Sequence, residues 1–127
     1  MPPIVKRKIL LIEDDEATAT PLLEILKKGG FEVIHANNGA TGLSLAEKEQ
    51  PEFILLDIVM PGLSGIDVLA TLKKNPSTQS IPVLILSQLS DADTISRGIA
   101  LGAMGYLVKS EYQLFDILDK LKSIFKR

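Results

Sequence analysis

The chain has 127 residues, 46% hydrophobic and 24% charged, with a formal net charge of −2. That length holds one domain and not comfortably two, and buries roughly 65–70% of the unfolded surface. The near-neutral charge gives no electrostatic reason for direct nucleic-acid binding, the lack of cysteine rules out disulfides and thiolate metal sites, and a lone histidine, His35, forms no histidine cluster.

The opening "MPPIVKRK" carries basic residues but leads into no long apolar stretch, because the first apolar run, residues 9–12, is broken by Glu13. It reads as neither signal peptide nor membrane span, so a soluble, cytoplasmic protein is predicted, with no membrane partner. Apolar runs of strand length recur at 9–12, 31–36, 53–56, 83–86 and 106–108. Most are continuous rather than alternating, as in strands of a parallel sheet covered on both faces. Segments with helical spacing lie between them. Leu22, Leu23, Ile25 and Leu26 mark the first; Leu43, Leu45 and Ala46 the second; Ile66, Leu69 and Leu72 the third; Ile95, Ile99 and Ala100 the fourth. Leu114, Ile117, Leu118, Leu121 and Ile124 form the clearest stripe, read as core.

Turn residues punctuate these elements. Gly29-Gly30 ends the first helix, Asn37-Asn38-Gly39 opens the second and Pro51 closes it. Ser64 with Asp67, and Ser90 with Asp93, have near capping-box spacing before the third and fourth helices. Pro21 falls inside the first helical pattern, so that helix either kinks there or starts late with Thr20 as its cap. The whole reads as β-α repeated five times: an α/β, three-layer, doubly wound parallel sheet. One domain is expected over 1–127, structured from about 7 to 126, with no output domain.

In such a sheet the carboxyl ends of all strands share one edge, where ligands bind. Here the first strand ends in Glu13-Asp14-Asp15, the third in Asp57, the fourth in Ser87 and the fifth in Lys109. Clustered carboxylates raise one another's pKa unless a cation joins them. Oxygen ligands without histidine or cysteine suit a hard cation such as Mg²⁺. Lys109 adds a point charge for a phosphate oxygen and Ser87 a hydroxyl, and an aspartate beside them is placed to act as a nucleophile towards a phosphoryl group.

The stretches "ILLIEDDE", "ILLDIVMPGLSG", "VLILS" and "GAMGYLVK", in this order and spacing, resemble the receiver domain of two-component response regulators, the CheY-like fold, across essentially the whole chain. The resemblance implies strand order 2-1-3-4-5. It implies that Asp57 is the phospho-acceptor, that Asp14, Asp57 and the Val59 backbone carbonyl ligate Mg²⁺, and that Glu13 acts through water. Asp15 then follows as a helix cap or solvent-facing residue, although Asp14 with Asp15 is the second possible acidic pair. Lys109 would bind the phosphate, Ser87 and Tyr106 would form the switch, and the face of the fourth helix, fifth strand and fifth helix would be read by a downstream protein. The phosphate would come from a histidine kinase or phosphotransfer protein, with slow autodephosphorylation as the only other chemistry. The protein would be a signalling module rather than an enzyme, a monomer or a phosphorylation-dependent dimer.

Three departures stand out. Ser110 follows Lys109 where the family pattern has proline, and a cis bond before a non-proline residue costs about 2.5–4 kcal/mol, so a trans bond is expected. Gln88 replaces a small residue and would crowd the phosphate entrance. Val59 and Leu89 are apolar where attacking water would pass, which predicts slow dephosphorylation. Gln88 and Ser110 leave a second reading, a phosphate-independent interaction domain of the same fold. An aspartyl phosphatase is disfavoured because Glu-Asp-Asp-Glu-Ala lacks the Asp-x-Asp-x-Thr pattern. A nucleotide-binding fold is disfavoured because no Gly-x-Gly-x-x-Gly follows the first strand.

Overall fold

A computed structural model describes residues 6–125. Five strands, β1 Lys8–Ile12, β2 Glu32–Ala36, β3 Phe53–Leu56, β4 Val83–Ser87 and β5 Gly105–Val108, form one parallel sheet in the order β2-β1-β3-β4-β5. They alternate with α1 Glu16–Lys28, α2 Gly39–Glu49, α3 Gly65–Lys74, α4 Ala92–Ala100 and α5 Leu114–Phe125. The order and the fold class are as predicted. The expectation that residue 126 is structured lies outside the described residues.

Successive strand residues point to opposite faces, which splits the core in two. Leu10, Ile12, Ile54, Leu56, Val83 and Ile85 meet Ala46 of α2 and Val68, Leu69 and Leu72 of α3. Ile9, Leu11, Phe53, Leu55, Leu84, Leu86 and Leu107 meet Ala19, Leu22 and Leu26 of α1 and Ile117, Leu118 and Leu121 of α5. All four residues of β3 are fully buried, which is why its run is apolar without alternation.

The helix boundaries correct two expectations. α1 begins at Glu16, capped by Asp15, whose side chain accepts from the Ala17 N–H; Pro21 is carried inside the helix and Thr20 is not the cap. Pro21 is exposed and forfeits one N–H bond, which the burial of Ala19, Leu22 and Leu26 on the opposite face of α1 outweighs. Asp91, not Ser90, caps α4, accepting from both Thr94 N–H and Thr94 Oγ1–H. Ser64 caps α3 with Asp67 as read. A 3₁₀ turn at Lys109–Glu111, not foreseen, separates β5 from α5. There are no cis peptide bonds among the described residues, so Lys109–Ser110 is trans.

Two of the predicted stripes are only partly core. In α4 the sole buried residue is Gly98, which lies against Ile85, while Ile99 is exposed. In α5, Leu114 faces solvent beside Phe115, and Ile117, Leu118 and Leu121 carry the packing. At the amino edge of the sheet, Phe125 at the end of α5 packs edge-on to Phe53 and tilted against Phe31, with centroids 5.8 Å apart in both pairs. The Arg7 guanidinium lies 5.1 Å over the Phe125 ring and pairs with Glu52 at 2.8 Å.

Candidate functional site: an acidic edge with one lysine

At the carboxyl edge, the carboxylates of Glu13, Asp14 and Asp57 converge, with one oxygen from each within 4.8 Å of the others. Glu13 and Asp14 extend β1, where Glu13 N–H still reaches the Ala36 carbonyl of β2. Asp57 extends β3, its N–H bonded to the Ile12 carbonyl. Glu13 is 2% exposed and Asp57 5%, whereas Asp14 is half-buried and Asp15 is exposed as the α1 cap. The geometry therefore selects Glu13 with Asp14, not Asp14 with Asp15, as the acidic pair beside Asp57.

Lys109 enters from β5. Its Nζ lies 2.6 Å from Glu13 Oε1 and 3.7 Å from Asp57 Oδ2. The closer partner is thus Glu13. Asp57 is left with one longer ion pair and a weak bond from the Val59 N–H at 3.3 Å. Its carboxyl is pushed up to about 7, first by burial and then by the neighbouring Glu13; Lys109 and the Val59 N–H pull the other way. An oxygen-only donor set whose members raise one another's proton affinity fits a hard divalent cation such as Mg²⁺, which would replace the proton.

The turn after Asp57 is held by Gly65. Its N–H bonds to the Ile58 carbonyl at 2.9 Å, and a Cβ there would overlap the Asp57 carbonyl oxygen. Val59 sits on this turn, 53% exposed. On β4, Ser87 is fully buried and its Oγ accepts from the Leu89 N–H at 3.1 Å. The Tyr106 hydroxyl donates to the Leu89 carbonyl at 2.8 Å. Ser87 and Tyr106 therefore grip one residue, Leu89, by its two backbone groups, a link not visible in the sequence. Gln88 and Ser110 are both exposed.

Two features were missed in the sequence. His35, which the sequence marked only as a lone histidine, bonds the Glu13 carbonyl through Nε2 at 2.8 Å. Two hollows meet at Leu114 between α1 and α5. One, of about 180 Å³, is lined by Thr18, Leu22, Leu86, Lys109, Tyr112 and Ile117. The other, of about 270 Å³, is lined by Pro21, Glu24, Ile25, Lys28 and Phe115.

With this geometry in place, the comparisons are unambiguous. A model of the response regulator receiver domain family matches residues 9–122, and the chain belongs to that family. It is 37% identical to the protein PilH of Pseudomonas aeruginosa over 80% of this chain and 84% of PilH. It is 35% identical to the probable transcriptional regulatory protein SilR of Salmonella typhimurium over 94% of this chain but 51% of SilR. The chain thus spans about half the length of some curated relatives. Among solved structures it is similar to the Vibrio cholerae chemotaxis protein CheY4, at 25% identity and TM-score 0.87, covering 95% of this chain and all of that one. It is likewise similar to the phosphorylated cyanobacterial phytochrome response regulator RcpA, at 28% identity and TM-score 0.85, covering 96% and 95%. The chain is a two-component receiver, a signalling module of CheY-like fold. No helix among the described residues is long and apolar enough to cross a membrane.

Proposed function

We propose that this receiver accepts a phosphoryl group on Asp57 from a histidine kinase or phosphotransfer protein in the cytoplasm, and passes the signal on by a change of shape. The observation that carries this reading is the convergence of Glu13, Asp14 and Asp57 with Lys109 at one sheet edge. Asp14, Asp57 and the Val59 carbonyl would hold Mg²⁺, with Glu13 behind through water; the ion would neutralise the carboxylates and the phosphoryl oxygens. An Asp57 oxygen attacks phosphorus in line, the new O–P bond forms as the P–N bond of the phosphohistidine breaks, and the electron pair stays with the donor imidazole. Lys109, held near the site by Glu13, is placed to pair with a phosphoryl oxygen. Catalysis is limited to the receiver's own phosphorylation and slow loss of phosphate.

Ser87 would turn its hydroxyl to the new phosphate, which costs its bond to Leu89 and so loosens the loop that Tyr106 also holds. The output surface would be the face of α4, β5 and α5, where Ile99 and Met104 are exposed. The phosphodonor would dock on the α1–α5 side. Phe115 there is 68% exposed, and the hollow beside it meets, at Leu114, the second hollow, which Lys109 lines. We read residues 1–127 as one receiver domain, a monomer that can pair through its output face when phosphorylated.

Incubation with Mg²⁺ and acetyl phosphate, followed by intact mass measurement, tests the proposal. One phosphoryl adduct is expected, absent from Asp57→Ala. No adduct on the wild-type chain, or an undiminished one on the variant, overturns it. Phe115→Asp should slow transfer from a phosphorylated protein donor while leaving transfer from acetyl phosphate unchanged.

A further inference from the structure

We infer that His35 is a positioning residue for the acidic turn, its Nε2–H holding the Glu13 carbonyl and, through that peptide, the Glu13 and Asp14 carboxylates; this rests on the phosphoryl-transfer reading above. β1 ends at Ile12, so the Glu13 peptide lies beyond the regular ladder. Its N–H is taken by the Ala36 carbonyl at 3.0 Å, but among the described residues no backbone N–H donates to its carbonyl. A buried carbonyl without a partner is costly. The partner is His35 Nε2, at 2.8 Å. A carbonyl only accepts, so Nε2 carries the proton, and the tautomer is set by this bond.

The register explains why β2 supplies the group. His35 pairs with Leu11 in the sheet, two residues before Glu13, so a side chain with a donor at imidazole reach is needed. Serine is too short, and leucine has no donor. The result is a residue clamped from one strand at both its N–H and its carbonyl. The Glu13 carboxylate hangs between those two groups, with Oε2 accepting from the Asp15 N–H at 3.3 Å and Oε1 held by Lys109. Three carboxylates repel one another. A turn released from His35 relaxes away from Asp57, which lowers cation affinity and frees the Asp15 N–H. Groups behind a metal's direct ligands act in this way.

The test uses the full chain as wild type, His35→Leu and His35→Gln; glutamine keeps an N–H donor at similar reach. Two readouts are Mg²⁺ titration by calorimetry and amide exchange at Asp15 in chelator. His35→Leu is expected to weaken Mg²⁺ binding about tenfold and to speed Asp15 exchange by a similar factor, and to lower thermal stability in chelator because the Glu13 carbonyl loses its partner. His35→Gln should restore both. His35→Leu matching the wild type within about twofold in both readouts overturns the inference, since a merely structural histidine would lower the melting temperature and leave both readouts unmoved. Nitrogen NMR of wild-type His35 needs no variant: a neutral ring protonated on Nδ1 instead of Nε2 also overturns it. If the wild-type chain binds no Mg²⁺, the phosphoryl reading fails, and the metal-free exchange at Asp15 still decides the role of His35.

Discussion

Asp57 is both buried and poorly compensated, because the one lysine within reach is closer to Glu13. Its folded-state pKa of about 7 lies above the ordinary value of 3.8. Between those values the native state binds more protons than the unfolded one, so metal-free stability is highest at the acid end of this window. It falls as pH rises and is at its lowest above about 7. A decline on the order of 2–4 kcal/mol between pH 4 and 8 is expected in chelator, and Asp57→Asn should flatten it. Denaturant titrations at several pH values check this; a wild-type slope equal to that of the variant would contradict it. Glu13, Asp57 and Lys109 were legible in the sequence because strand ends must share an edge. Which carboxylate Lys109 prefers was not, since that depends on the rotamers of a long side chain. Val59 and Leu89 are exposed apolar residues on the turns that follow Asp57 and Ser87. Val59→Asn is therefore expected to shorten the lifetime of the phosphorylated state several-fold; an unchanged decay would show that these side chains do not obstruct water.

Among the elements, the strands and their order followed from apolar runs and resemblance, whereas helix starts were read less well. Capping needs a side-chain oxygen that meets a particular N–H, and Ser90 and Asp91 offer competing oxygens one residue apart; only the loop geometry chooses Asp91. Pro21 misled for a different reason. Its local preference against a helix interior, about 3 kcal/mol relative to alanine, is outweighed by burial of Ala19, Leu22 and Leu26 on either side. Pro21→Ala should accordingly stabilise the fold, by about 1–2 kcal/mol once the stiffer unfolded chain lost with proline is counted; a lower melting temperature would mean that the ring itself packs usefully. Gly65→Ala should do the reverse, costing about 2–3 kcal/mol in chemical denaturation, because the atoms it meets are backbone and cannot rotate away.

Across the molecule, cohesion is uneven. The α1, α3 and α5 helices bring several large side chains into the two cores, but α4 brings one glycine. Of its nine residues only Gly98 is buried, lying against the side chains of Ile85 and Tyr106. Native-state hydrogen exchange should find α4 amides opening far more readily than those of α3, and equal protection would refute this ranking. The sequence showed apolar residues in α4 at helical spacing but not which of them the sheet would cover. That depends on how far the helix stands off β4 and β5.

The aromatic knot of Phe31, Phe53 and Phe125, topped by Arg7, lies where the strands begin, one sheet length from where they end in carboxylates. Residues 7 and 125 are thereby brought together on the side of the molecule remote from Asp57. A dye, a solid support or a second protein fastened near either point would hang from the far pole, with the acidic rim open to visitors.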